Sequence, residues 1–391
     1  MDRKCLLGLL FIFLASSNGS TWFLSMYRRD LIDHFKFTHS DLSFVMSTVF
    51  FVSGVCAMIT SKLCDLGGER IYPILSVSVA IMIGCLILLT FSNSMFTVAW
   101  SLVMVRVSSH SFTAFIVKTL FFRMMYFDLN KTILLTGLGW FVQMQLTSIM
   151  NVCKSHLDWK MFNITWIVIS SVLAISGLLL CKNNRFAVET TEIDRPSYNH
   201  VTTQIFFISI TVMLFDMCTV GTNLHMHDIL TEHKIPSDMV SIVVTGIGCT
   251  MIFSLIILKT WGDMYMNYIW TVSIFFTCLS LAAAPHLLSY YTGIAGFSVI
   301  YGVSISNVML ITDVLFPMMA TPDRISKSQG IFVMMSNIGL SVSPMWVHML
   351  ISLTESWDQY FQVSSLVMFM TMPIPLTSQM FTSTRGVPDV I

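Results

Sequence analysis

Apolar stretches of roughly twenty residues, broken by short polar turns, recur about twelve times and fill the chain almost from end to end. A helix of that length rises about 30 Å, the thickness of a bilayer core. The pattern therefore predicts an all-α polytopic membrane protein with twelve transmembrane helices. The first runs from Cys5 to Tyr27, and the others are expected over about 42–61, 71–91, 96–117, 132–152, 161–181, 204–225, 239–259, 266–285, 290–312, 328–352 and 359–380. The first span has a second reading. Asp2-Arg3-Lys4, the apolar run to Ala15 and the small polar residues Ser16 to Ser20 also suit a secretory signal peptide. Apolar character resumes through Trp22, Phe23, Leu24, Met26 and Tyr27, so we read a membrane helix with small residues midway.

Composition excludes a soluble globule: 55% of residues are hydrophobic, 11% are charged and the mean hydropathy is +0.76. The bilayer is the partner this composition demands. Thirty Phe and thirty Met without a heptad repeat fit lipid-facing, irregularly packed helices better than a coiled coil. With a net charge of zero, no basic stripe and no glycine-rich phosphate loop, a nucleic-acid partner is not expected. The nine cysteines lie scattered, Cys56, Cys85, Cys218, Cys249 and Cys278 among them in apolar stretches, and none has a spacing that suits zinc. Neither a metal nor another cofactor is expected.

Lys and Arg set the orientation. The N-terminus, the even-to-odd loops and the C-terminal tail hold 14 of them, the opposite loops hold 6, and Arg106 lies inside a span. By the positive-inside rule both termini are cytoplasmic. The polar connector at 182–203 divides the chain into an N-terminal six-helix half, 1–181, and a C-terminal half, 204–380, with a tail at 381–391. Two such halves with a site between them are the plan of many secondary transporters.

Turn chemistry narrows this plan. Ser61-Lys62-Leu63-Cys64-Asp65-Leu66-Gly67-Gly68-Glu69-Arg70 resembles the signature between helices two and three of the major facilitator superfamily, with Asp65, Gly68 and Arg70 in register. Ser61 and Leu66 depart from its Gly and Arg. An Asp at a helix C-terminus faces an unfavourable dipole unless a cation or a helix N-terminus compensates it, so this turn suits a cytoplasmic gate; an ordinary solvated turn is the plainer alternative. Met125-Tyr126-Phe127-Asp128-Leu129-Asn130-Lys131, Gly137, Leu157-Asp158-Trp159-Lys160, Tyr291-Thr292-Gly293, Ser343-Pro344 and the run Ser356 to Phe361 are similar, in order and spacing, to motifs of the monocarboxylate transporters. That resemblance implies the major facilitator fold, alternating access, a small organic anion as substrate and a plasma membrane as location. It is also compatible with a single-pass ancillary protein as partner.

The positions that carry charge in the proton-coupled monocarboxylate transporters align with Trp22, Cys249 and Phe253, so their lactate and proton chemistry does not transfer residue by residue. Other intramembrane polar groups are the candidates instead. Arg106 and His110 are four apart and share a helix face; His110 and Phe112 stand where many facilitators have glycine. The plainer role for Arg106 is binding backbone carbonyls or Asn side chains. Asp216 lies midway along the seventh span, and we expect it to share a cavity with Arg106, with a structural salt bridge as the alternative. Asn223, His225, His227 and Asp228 suit the outer entrance near a wet loop, more than a metal site. Trp22 suits stacking on a solute or plain packing. Asn307, Asp313 and Asn337 suit interhelical hydrogen bonds, Asn307 also a substrate contact.

Three function classes follow. The leading one is a secondary transporter of small organic solutes, monocarboxylate-like anions above all. The second is a carrier homologue that binds without transporting, as a sensor or accessory subunit. An intramembrane enzyme is disfavoured, because no His-Glu-x-x-His or Gly-x-Ser-Gly element is present.

Overall fold

The computed structural model describes residues 3–65, 70–125, 129–154, 156–182, 198–236, 239–319 and 325–372, and every regular element among them is helical. The first span is two helices, α1 (Arg3–Ala15) and α2 (Thr21–Asp33), joined by a 3-10 turn at Ser16–Gly19. α3 (His39–Asp65) and α4 (Ile71–Phe91) follow. The fourth span is again interrupted: α5 (Met95–Arg106) leads through a π-helical stretch, Val107–Ala114, into α6 (Phe115–Met125). α7 (Leu129–Lys154) and α8 (Trp159–Cys181) complete the N-terminal half.

The C-terminal half holds α9 (Tyr198–Glu232), α10 (Met239–Leu287), α11 (Tyr291–Met319), α12 (Ile325–Thr354) and α13 (Trp357–Thr371). α10 contains the two spans expected over 239–259 and 266–285, which the structure places at Met239–Trp261 and Tyr268–Leu287. Eleven helical spans among the described residues have the length and apolar character to cross a bilayer, and α13 lies in the expected twelfth, of which residues 373–380 lie outside the described residues. The expected boundaries shift most where polar residues sit inside a helix. The fourth span continues past 117 to Met125, the seventh past 225 to Glu232 and the tenth past 312 to Met319.

Lipid-facing and buried faces separate as the pattern requires. Phe44, Phe96, Leu179 and Leu353 are exposed on the outside, whereas serine, threonine and glycine line the helix contacts. The halves meet along two seams. On one, α3 packs on α12, where a Cβ on Gly54 would come within 2.9 Å of the Asn337 Cβ. On the other, α7 runs against α10: Asn151 Nδ2 donates to Ser241 Oγ at 2.7 Å and Ser148 Oγ to the Ser241 carbonyl at 3.0 Å. These small-residue seams leave a space between the halves, at the depth of the two helix interruptions.

Candidate functional site

The two interruptions face each other. Gly19, at the end of the 3-10 turn, abuts Ser109 so closely that any side chain there would overlap the serine hydroxyl. In the π-helical stretch the Phe115 amide reaches the carbonyl of His110, five residues back, and Thr113 Oγ1 donates to the Ser108 carbonyl at 2.9 Å. Arg106 stands at the start of that wide turn, only 1% exposed, and its Nη1 donates to the Gly19 carbonyl that the 3-10 turn leaves free of a helical partner. Nη2 crosses to the other half and donates to Asn337 Oδ1 at 3.4 Å. The Phe50 ring covers one face of the guanidinium at 5.1 Å. Nε is buried and unpartnered.

α2 begins at the same place. Ser20 caps it by accepting from the Phe23 amide at 3.2 Å. A half-helix N-terminus inside a membrane protein carries partial positive charge toward whatever lies before it.

What lies there is a cavity of about 140 Å³ between the halves. Arg106, His110 and Lys118 reach it from the N-terminal half, Asp216 and Asp313 from the C-terminal half. Lys118 Nζ and Asp313 Oδ2 form an ion pair at 2.7 Å, and Trp140 Nε1 donates to the same oxygen at 2.8 Å. The Lys118 ammonium also sits 4.9 Å from the Trp140 ring centre. Asp216, in contrast, has no ion-pair partner among the described residues and accepts a 2.5 Å hydrogen bond from Ser336 Oγ. Phe13, Trp22, Phe115, Phe215 and Phe332 supply the apolar walls.

Both faces of the protein carry polar clusters with a contact between the halves, Arg28–Asp228 on one and Arg123–Ser326 and Thr119–Gln329 on the other. On the face of the α2–α3 turn, Arg28 Nε donates to Asp228 Oδ2 at 2.7 Å, and the same guanidinium donates to His39 Nδ1 at 3.2 Å. His225 Nδ1 reaches Asp228 at 3.3 Å. These residues border a vestibule of about 900 Å³ with His227, His348 and Trp357. On the opposite face, Arg123 donates to Asp65 Oδ1 at 3.2 Å, to the Cys64 carbonyl at 3.0 Å and to Ser326 Oγ at 2.5 Å, while Thr119 Oγ1 donates to Gln329 Oε1 at 2.7 Å.

Of the residues singled out in the sequence, Trp22, Arg106, His110, Asp216, Asn223 and Asp313 line the central cavity. Three placements differ from expectation. Asn307 is buried on α11 away from the cavity lining, because the helix turns Ile305, Val308 and Met309 inward instead. Asn223 is not at the outer entrance: α9 runs on for nine residues, which sinks it to the cavity, where Tyr301 donates to its Oδ1 at 3.1 Å. His225, His227 and Asp228 do border the vestibule, but from within the helix rather than beside a loop. Asp65 ends α3 with Arg123 against it; Arg70 is exposed at the start of α4, and Gly68 lies outside the described residues. Lys118 and Arg123 were missed, because a hydropathy reading ends the fourth span at 117.

No family profile matches the chain, and no curated protein matches it by sequence. Solved structures do match its shape. The human organic anion transporter MFSD10 superposes with a TM-score of 0.70 at 10% identity, covering 96% of this chain and 100% of its own. A bacterial homologue of the human lysosomal transporter Spinster, in an inward-facing and unoccupied conformation, gives 0.73 at 11% identity over 99% and 100%. The nucleoside transporter NupG, as its D323A mutant, gives 0.62 at 14% identity over 98% and 100%. With eleven spans, two seams and these superpositions over nearly the whole length, the chain is a multi-pass integral membrane protein with the major facilitator fold.

Proposed function

We propose that the chain is a secondary transporter that moves small organic solutes, monocarboxylate-like anions foremost, by alternating access. One observation carries this reading: a fully buried arginine, bonded only to neutral acceptors among the described residues and with its Nε unpartnered, lines a cavity between the two halves. A buried guanidinium without a counter-ion is costly in a membrane unless an anion visits it. The start of α2 adds its dipole to the same space, as half-helices do at anion sites. The organic anion transporter among the structures of similar shape supports the same substrate class.

Arg106 binds the carboxylate, with Trp22, His110 and Asn223 in the wall. Asp216 balances the charge. The Arg28–Asp228 and Arg123–Ser326 contacts, which cross between the halves, are the outer and cytoplasmic gates, broken in turn as the halves rock, with Asp65 holding Arg123 in place. Both termini face the cytoplasm of a cell whose plasma membrane holds the protein. Lys118 and Asp313 provide an intramembrane ion pair where Trp22, Cys249 and Phe253 leave none.

The test is uptake of labelled monocarboxylates, amino acids and aromatic acids into proteoliposomes containing the purified full chain, with Arg106→Ala alongside. Saturable uptake that the variant loses supports the reading. Binding without uptake assigns a sensor or accessory role, and neither binding nor uptake overturns both.

A further inference from the structure

The charges around the cavity are divided by half. Arg106 and Lys118 belong to the N-terminal half, Asp216 and Asp313 to the C-terminal half, so these four formal charges sum to zero. Lys118 and Asp313 neutralise one another at 2.7 Å. That leaves one cation and one anion, Arg106 and Asp216, each held by hydrogen bonds to neutral groups and neither in an ion pair among the described residues. Their holders are neighbours on α12: Asn337 accepts from Arg106, and Ser336 donates to Asp216. The two charges are therefore fixed on either side of one helix step.

From this arrangement, and resting on the transporter reading above, we infer that among monocarboxylates the site best holds one that also carries an ammonium group, a small zwitterionic α-amino acid with a compact apolar side chain. Its carboxylate meets Arg106 and the first turn of α2; its ammonium meets Asp216. The argument is one of charge balance in a poorly solvated space. A simple anion brings the cavity to a net charge of minus one and leaves Asp216 without a counter-charge, whereas a zwitterion leaves the net charge at zero and satisfies both groups. Size agrees. A cavity of about 150 Å³ is filled by a molecule the size of benzene, and this one measures about 140 Å³. The aromatic walls from Trp22, Phe115 and Phe332 suit the apolar remainder of such a solute.

L-Alanine and L-lactate make a matched pair, since they have the same number of non-hydrogen atoms and differ in an ammonium against a hydroxyl. With the full chain in proteoliposomes, kcat/KM for labelled alanine should exceed that for lactate by about tenfold or more, the factor expected from one charge-assisted contact. Asp216→Asn should erase that margin, bringing the ratio of the two kcat/KM values close to one. Asp216→Glu should keep it, and Ser336→Ala should raise the KM for alanine with little change for lactate. Lactate moved as well as or better than alanine by the wild-type protein overturns the inference and leaves the transporter reading standing; so does a margin that survives Asp216→Asn. If neither solute nor any other member of the panel is moved, both fall.

Discussion

Arg106 and Asn337 meet across the two halves, Nη2 donating to Oδ1 at 3.4 Å, in a contact where a cation has been given a neutral partner. Replacing that partner by a carboxylate separates stability from function. Asn337→Asp should neutralise Arg106 with a hydrogen bond about twice as strong as a neutral one. The melting temperature in detergent is expected to hold or rise, while uptake of any carboxylate solute falls by about tenfold or more, because the guanidinium is already occupied. A variant that keeps full uptake would remove Arg106 from the site.

The two gate contacts should act in opposite directions. Arg28→Ala removes the contact with Asp228 on the vestibule face, and Arg123→Ala removes those with Asp65 and Ser326 on the other. Thr219 lines the cavity and none of the nine cysteines does, so Thr219→Cys reports access on both backgrounds. A membrane-impermeant maleimide added from the vestibule side should label that cysteine faster with Arg28→Ala and more slowly with Arg123→Ala. Equal effects of the two would mean that they only loosen the packing.

Much of this architecture is legible in the sequence because lipid imposes a simple rule: each long apolar run must be a helix. Arg106 and Asp216 are legible for the same reason, as ionisable groups too costly to leave in hydrocarbon without a role. Lys118 is not, because it falls one residue past the expected end of its span, and hydropathy cannot tell a charge at the helix end from one with a buried partner on another helix. The pairing with Asp313, 195 positions away, is a tertiary fact. Asn223 and Asn307 show the complementary failure. Both are polar residues in apolar helices, and only the rotation and length of α9 and α11 decide which one meets the cavity.

The Lys118–Asp313 pair gives a stability prediction of its own. Side-chain exposures of 14% and 13% place it well inside the protein. Removing one member strands the other, a loss of roughly 3–5 kcal/mol in buried pairs, whereas replacing both with apolar residues is often neutral or stabilising. Asp313→Asn should therefore lower the unfolding midpoint, and Lys118→Met with Asp313→Leu should recover most of it, as read by thermal unfolding in one detergent. A double variant as unstable as the single one would point to Trp140, which also donates to Asp313, as the group that needs the carboxylate.

Two glycines test whether close helix contact, rather than backbone freedom, sets the packing. Gly339 on α12 lies against the Met213 backbone of α9, and a Cβ there would overlap the Met213 carbonyl, so one helix must move. Overpacking of this kind costs about 1–3 kcal/mol. Gly84 on α4 has open space where a Cβ would go, and alanine gains roughly 0.5–1 kcal/mol over glycine inside a helix. Gly339→Ala should thus lower the melting temperature while Gly84→Ala holds or raises it. Because α12 carries both Ser336 and Asn337, displacement by Gly339→Ala should also weaken uptake, an effect Gly84→Ala should lack. If both variants melt like the wild-type protein, α9 and α12 have room to separate, and the cavity charges are not held at the spacing that this contact fixes.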